Sequence, residues 1–282
     1  MKKLLFTLVF AFFGLVSFSQ TAEVGLLGGL SYYLGDLNPG IHFLGSRPAW
    51  GAVARVNLDN RWVARASFTR ARVKGDDSMG NTNDQRGLKF ESRITDIALT
   101  AEFNFFDYFT GSRKNVMAPY IFGGIGMVIF DPRADGVSLR SMGTEGQNVG
   151  FDGRKPYSRV AFTIPFGLGL KYSLSRRLAF SAEWGMRKTF TDYLDDVSTI
   201  YVDRNLLAQK KGQAAVNFAY RGDELANGDP YPVEGTKRGN PANDDWYYVA
   251  GISMRFRIVP KGRKRDDTYK PRRASVACPK PF

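Results

Sequence analysis

Eight stretches of this chain switch residue by residue between apolar and small or polar side chains, over positions 23–33, 50–58, 62–69, 96–105, 121–129, 162–172, 178–187 and 246–258. A strict period of two is the signature of an extended strand with two unlike faces. The fourth stretch is the cleanest: Ile97, Leu99, Ala101, Phe103 and Phe105 alternate with Asp96, Ala98, Thr100, Glu102 and Asn104. Each stretch is close to the ~9–11 residues that a tilted strand needs to cross a bilayer. Pro165, in the sixth stretch, cannot donate to a ladder and predicts a bulge.

The connections alternate too. Short or moderate links at 59–60, 107–116 and 173–176 take turns with long polar ones at 35–47, 75–91, 131–157 and 192–245. This is the pattern of an all-β, eight-stranded antiparallel transmembrane β-barrel with short periplasmic turns and long extracellular loops, and with both termini periplasmic. Tyr32, Trp50, Trp62, Phe105, Tyr120, Tyr172 and Trp246, at the strand ends, suit two interfacial aromatic girdles. A soluble sandwich also alternates, but charge should then stud its outer face. Here one face is continuously apolar and the other mixes glycine with ions, which inverts that expectation.

The first nineteen residues read as a signal peptide. Lys2 and Lys3 precede an apolar run from Leu4 to Val16, and Ser17, Phe18 and Ser19 bring small residues to the cleavage site. The run is shorter than the ~20 residues of a spanning helix. The expected domains are therefore a leader at 1–19, a barrel at 20–259 and a tail at 260–282. The destination is the cell outer membrane, with its lipid as a partner. Cys278, the single cysteine, lies far from the cleavage site, so a lipoprotein anchor is excluded.

The formal charge is +13 over 282 residues. A basic balance invites a nucleic-acid reading, but an exported barrel does not meet nucleic acid, and lipid headgroups or an acidic protein are the expected counterparts. Seven of the basic residues, Lys261, Arg263, Lys264, Arg265, Lys270, Arg272 and Arg273, crowd the tail against Asp266 and Asp267. They form a candidate partner contact beside a solvated-tail reading.

Eight strands enclose a space just wide enough for side chains to fill. Inward-facing Arg55, Arg65, Asp96, Glu102, Lys171, Glu183, Arg187 and Arg255 form a candidate lumen charge network that would plug the barrel, with Arg257 on the same face. Enzymatic readings lack residues. His42 is the single histidine, sits in the first long loop and has no spaced partner for triad chemistry. Acidic groups at Asp76, Asp77, Asn81, Asn83 and Asp84, and at Asp192, Asp195, Asp196 and Asp203, lack calcium-loop spacing and read as solvated turns. No cofactor or metal is implied. Leu206, Leu207, Ala214, Ala215 and Phe218 allow a short surface helix in the fourth long loop.

Three segments carry a family resemblance. Residues 28–39, GGLSYYLGDLNP, resemble the opening of PorG-type outer-membrane proteins of Bacteroidetes, and 119–126, PYIFGGIG, together with 164–198, ending TDYLDDVS, is similar to them as well. The resemblance implies a non-catalytic component of the type IX secretion system that associates with a periplasmic ring made of a lipoprotein and a soluble partner. No catalytic residue follows from it. A surface-binding or adhesion barrel working through its loops, a narrow channel and a lipid-acting barrel enzyme are the alternatives.

Overall fold

The computed structural model describes residues 21–80, 85–112, 115–225 and 229–258. The expected leader and the basic tail, including Cys278, lie outside the described residues, as do Asn81, Asn83 and Asp84. Among the described residues, no helix is long and apolar enough to cross a membrane.

Eight long strands make the barrel: β1 (Thr21–Leu34), β2 (Arg47–Asn57), β3 (Trp62–Asp76), β4 (Lys89–Asn104), β5 (Met117–Ile129), β8 (Val160–Ser173), β9 (Leu178–Thr189) and β10 (Trp246–Ile258). A two-strand hairpin, β6 (Pro132–Ala134) and β7 (Val137–Ser138), hangs on β4 within the third long loop. Every neighbouring pair is antiparallel. The ladder runs β3-β2-β1-β10-β9-β8-β5-β4, and β3 pairs with β4 to close it. Closure leaves the eight-stranded barrel without an edge, which is what a sheet needs in a solvent without hydrogen-bond partners.

Local chemistry sets the turns. Asp59 Oδ1 accepts from the backbone N–H of Arg61 at 2.6 Å and of Trp62 at 2.7 Å, an Asx turn that reverses β2 into β3. Once the turn is fixed, the register follows: Asn57 faces Val63 and Trp50 faces Arg70.

The period of two then sorts the side chains. Leu26, Trp50, Leu99, Ile125 and Leu168 all point outward and are more than half exposed, while Arg55, Glu102 and Lys171 are at most 1% exposed. Apolar residues outside and ions inside would be costly in water, since large exposed apolar patches are not tolerated on soluble monomers. Lipid is the solvent this surface fits, and the molecule is a transmembrane barrel of the outer-membrane type.

Three sequence expectations change. The β8 strand keeps one register past Pro165: Thr163 pairs with Gly126 and Phe166 with Gly123, so there is no bulge, and the β5 ladder only skips the two intervening pairs. Pro165 itself pairs with Arg187 on the other side. The second long loop is shorter than expected, because β3 and β4 remain paired out to Asp76 and Lys89. Tyr120 is not in a girdle; it points into the lumen and is 1% exposed.

Candidate functional site

Two buried polar systems occupy the barrel, one in the lumen and one in the loops above it. In the lumen, Arg65 is held on β3 and Glu183 on β9. Their side chains meet in a bidentate pair with both N···O distances at 2.8 Å. Arg55 Nε donates to Glu102 Oε1 at 2.8 Å, and Lys171 Nζ lies 2.6 Å from Glu102 Oε2 and 2.7 Å from Asn104 Oδ1. The two carboxylates are bridged, since Arg65 also reaches Glu102 at 3.5 Å and Arg55 reaches Glu183 at 3.7 Å. Tyr120 donates to Glu183 at 3.0 Å, its ring 4.5 Å below Lys171 Nζ, and Arg65 lies over the ring of Phe122 at 5.3 Å.

Toward the short-turn end, Arg255 pairs with Glu23 at 2.8 Å, and Glu23 also accepts from Thr110 at 2.5 Å. Toward the long-loop end, Asp96 accepts from Tyr247, and Arg187 lies 3.9 Å away. All eight sequence-nominated lumen residues are thus buried, but they form three tiers rather than one cluster. Arg257 is half-buried at the rim and donates to the Thr110 carbonyl. Sequence reading did not include Glu23, Tyr120 or Tyr247. Glu23 had a usable signal, because it shares the inward parity of Gly25; the tyrosines had none, because Tyr suits either face.

Small residues make room for the long ones. Gly185 sits where an added Cβ would press on the Arg187 guanidinium and on the Phe122 ring. Some polar atoms stay without a hydrogen-bond partner, among them Arg55 Nη1 and Nη2, Arg65 Nε and Thr100 Oγ1. Charges are removed from water at a cost that only such pairing offsets. The middle-tier side chains are at most 5% exposed, so they leave little room for water at that level of the lumen.

The second system corrects the reading of the loop aspartates as solvated. Asp192, Asp195 and Asp196 are all buried, and only Asp203 acts as a simple cap, accepting from Leu206 N at 2.7 Å to start the helix Arg204–Lys211. The Tyr33 hydroxyl, at the end of β1, lies between two carboxyls, 2.5 Å from Asp195 Oδ2 and 3.0 Å from Asp245 Oδ1, and its single proton serves one of them at a time. Asp196 accepts from Thr144 and Tyr157 and lies 3.8 Å from Arg238. Glu145 accepts from Ser198 N, Thr199 N and Arg238 Nη1. Asp77 pairs with Arg86, which donates to the Arg238 carbonyl. Glu145, Arg238 and Arg86 lie in loops without periodicity, and no sequence signal marked them.

Burial controls the protonation of this cap. It pushes Asp192 up to about 8, helped by the charges of Asp195, Asp36 and Glu145. It pushes Asp196 up to about 6, against the pull of Arg238. Asp195 and Asp245 are also raised well above the usual carboxylate range, first by burial and, for Asp245, by Asp195 and Asp192. Above this polar layer the helices Arg204–Lys211 and Gln213–Ala219 bury Leu207, Ala215, Val216 and Ala219 against Val149. The third and fourth long loops therefore share a small apolar core.

His42 is exposed, and its Nδ1 lies 3.1 Å from the Tyr32 hydroxyl. Tyr32 faces outward as its parity requires, yet it is fully covered, because His42 and Phe43 of the first long loop fold back onto the outer wall beside Tyr248 and Trp184. Among the described residues no group of three or more His, Cys, Asp or Glu is arranged to hold a metal ion.

Several small outer-membrane barrels resemble the chain in outline. Neisserial surface protein A matches at 8% identity over 85% of this chain and 97% of its own, with a TM-score of 0.41. OprG of Pseudomonas aeruginosa matches at 12% identity over 84% and 97%, also at 0.41. The N-terminal barrel domain of OprF from the same organism matches at 10% identity over 85% and 97%, at 0.38. No match was found among curated protein sequences. The sequence model of the family described as "Domain of unknown function (DUF6089)" matches residues 2–210, and the chain belongs to that family.

Proposed function

We propose that this chain is a non-catalytic outer-membrane anchor of a protein secretion machine of the type IX kind, with its short turns and both termini in the periplasm beside a ring of a lipoprotein and a soluble partner. The observation that carries the reading is the convergence of two PorG-like segments on one structural unit. Tyr33, from the segment 28–39, donates to Asp195, from the segment 164–198, at 2.5 Å. Within the first segment Asn38 Nδ2 returns to the Tyr33 carbonyl at 2.9 Å, and Asp36 accepts from Asn240 N. The residues that carry the resemblance are thus those that fix the loops to the barrel.

A lumen with little room for water at its middle tier supports an anchor over a conduit, since aqueous channels belong to barrels of about 16 strands. Ring contact falls to the short-turn end and to the basic tail, whose charges at Lys261, Arg263, Lys264, Arg265, Lys270, Arg272 and Arg273 suit carboxylates on a partner. Affinity purification of the tagged full chain from detergent-solubilised membranes tests this. A lipoprotein and a soluble periplasmic protein should co-purify in fixed ratio, and truncation after Ile258 should reduce their recovery at low salt. Recovery of the barrel without either protein contradicts the anchor. Unchanged recovery after truncation contradicts the tail's role alone.

A further inference from the structure

Above the lipid-facing belt, the outer face of β3 and β4 turns abruptly cationic at the long-loop end, while the neighbouring Ile129 and Val160 stay apolar and exposed. On β3 the outward series Trp62, Ala64, Ala66 and Phe68 continues as Arg70, Arg72 and Lys74, and on β4 Ile97 is followed outward by Thr95 and Arg93. At about 3.3 Å per residue, Arg70 stands ~7 Å beyond Phe68, and Arg72 as far again. Trp50, 59% exposed, pairs across from Arg70 and packs edge-on against Phe68, which marks the depth of the membrane interface.

The sequence register makes this more than a scatter of surface charge. Arg72 lies directly opposite Arg93 in the β3–β4 ladder. Like charges facing each other on one face of a strand pair are destabilising. Glu91 gives Arg72 a 3.4 Å contact, and Arg47 a weaker one at 3.9 Å, while Arg70 donates to the neutral Thr95 hydroxyl at 2.6 Å. Arg93 is exposed and has no ion-pair partner among the described residues. The short-turn end of the same strands is different: Leu58, Trp62 and Phe105 are exposed and apolar, and Arg61 there is paired with Asp107 at 3.0 Å.

We propose that Arg70, Arg72 and Arg93 form a binding site for the phosphate groups of a phosphorylated glycolipid in the outer leaflet. A phosphate between Arg72 and Arg93 relieves their repulsion and takes the fork-like donors of both guanidiniums. Trp50 and Phe68 beneath contact the upper acyl region of the same lipid. The site rests on the proposed topology only in naming the leaflet, since the arginines and the belt below them are fixed by register.

The test uses the folded full chain in a neutral detergent, with native mass spectrometry reading the lipid retained. Wild-type protein should hold bisphosphorylated lipid A at least tenfold more strongly than the same lipid dephosphorylated, because each basic residue near an anionic lipid contributes roughly a factor of five. Arg72→Gln with Arg93→Gln should abolish most of that preference, while Lys210→Gln with Lys211→Gln in the loop helix should leave it unchanged. Millimolar inorganic phosphate should not compete, because it lacks the acyl chains; competition would assign the site to free phosphate and overturn a lipid site. Equal retention of the two lipid A forms by wild-type protein overturns the proposal without any variant. Neither outcome bears on co-purification of ring proteins, so the anchor reading stands or falls separately.

Discussion

Arg65 and Glu183 stand 118 positions apart in the chain and share two 2.8 Å hydrogen bonds across the barrel interior. Glu183→Ala leaves Arg65 without its bidentate partner and Arg55 without its second carboxylate. Removing one member of a buried pair costs about 3–5 kcal/mol. The double change Arg65→Met with Glu183→Leu strands neither charge of this pair and should cost clearly less than the single one. Urea unfolding in lipid vesicles measures both; a single variant as stable as wild type removes the network from the stability account.

The outward parity of Leu99 gives a second expectation. Leu99→Arg places a guanidinium against hydrocarbon and should destabilise the barrel by about 2–4 kcal/mol. Thr100 faces the lumen with an Oγ1 that has no hydrogen-bond partner, so Thr100→Val should be close to neutral. Thr100→Arg is no benign control, because Thr100 pairs directly with Arg65 in the ladder. The same vesicle unfolding assay decides, and equal effects at 99 and 100 would show that the faces are misassigned.

These residues also show what a sequence reveals about such a fold. Alternation in β4 discloses which side chains share a face, because the period of two is local. It does not say that Arg65 will meet Glu183 or that Tyr33 will meet Asp195, since those contacts depend on barrel closure and loop return. Tyr32 is the instructive case: its parity is correct, yet the loop carrying His42 and Phe43 covers it. Asp192, Asp195 and Asp196 look like turn residues in sequence, and only the packing of loops over the barrel mouth buries them. Where function rests on inter-loop contacts, local pattern carries no signal.

The cap should respond to pH. Asp192, Asp195, Asp196 and Asp245 have folded-state pKa values raised above their unfolded values, so the folded cap binds more protons than the unfolded one between about pH 4 and 8. Their contribution is then fully present below the unfolded pKa and is lost as pH rises through about 6 for Asp196 and about 8 for Asp192. Hydrogen exchange across residues 190–225 should be slower at pH 5 than at pH 8 after correction for intrinsic rates. Tyr33→Phe, which removes the hydroxyl held between Asp195 and Asp245, should speed exchange at both pH values. Slower exchange at pH 8 would reverse the sign and contradict the burial account.

That the lumen is a plug is the claim on which the anchor depends, and single-channel recording in planar bilayers tests it most directly. Wild-type protein, inserted and shown to be folded by heat-modifiable gel mobility, should give no stable conductance steps. Sustained ohmic steps from wild-type protein would mean that the Arg55, Arg65, Glu102, Lys171 and Glu183 tier leaves a continuous water path, and would contradict a sealed anchor.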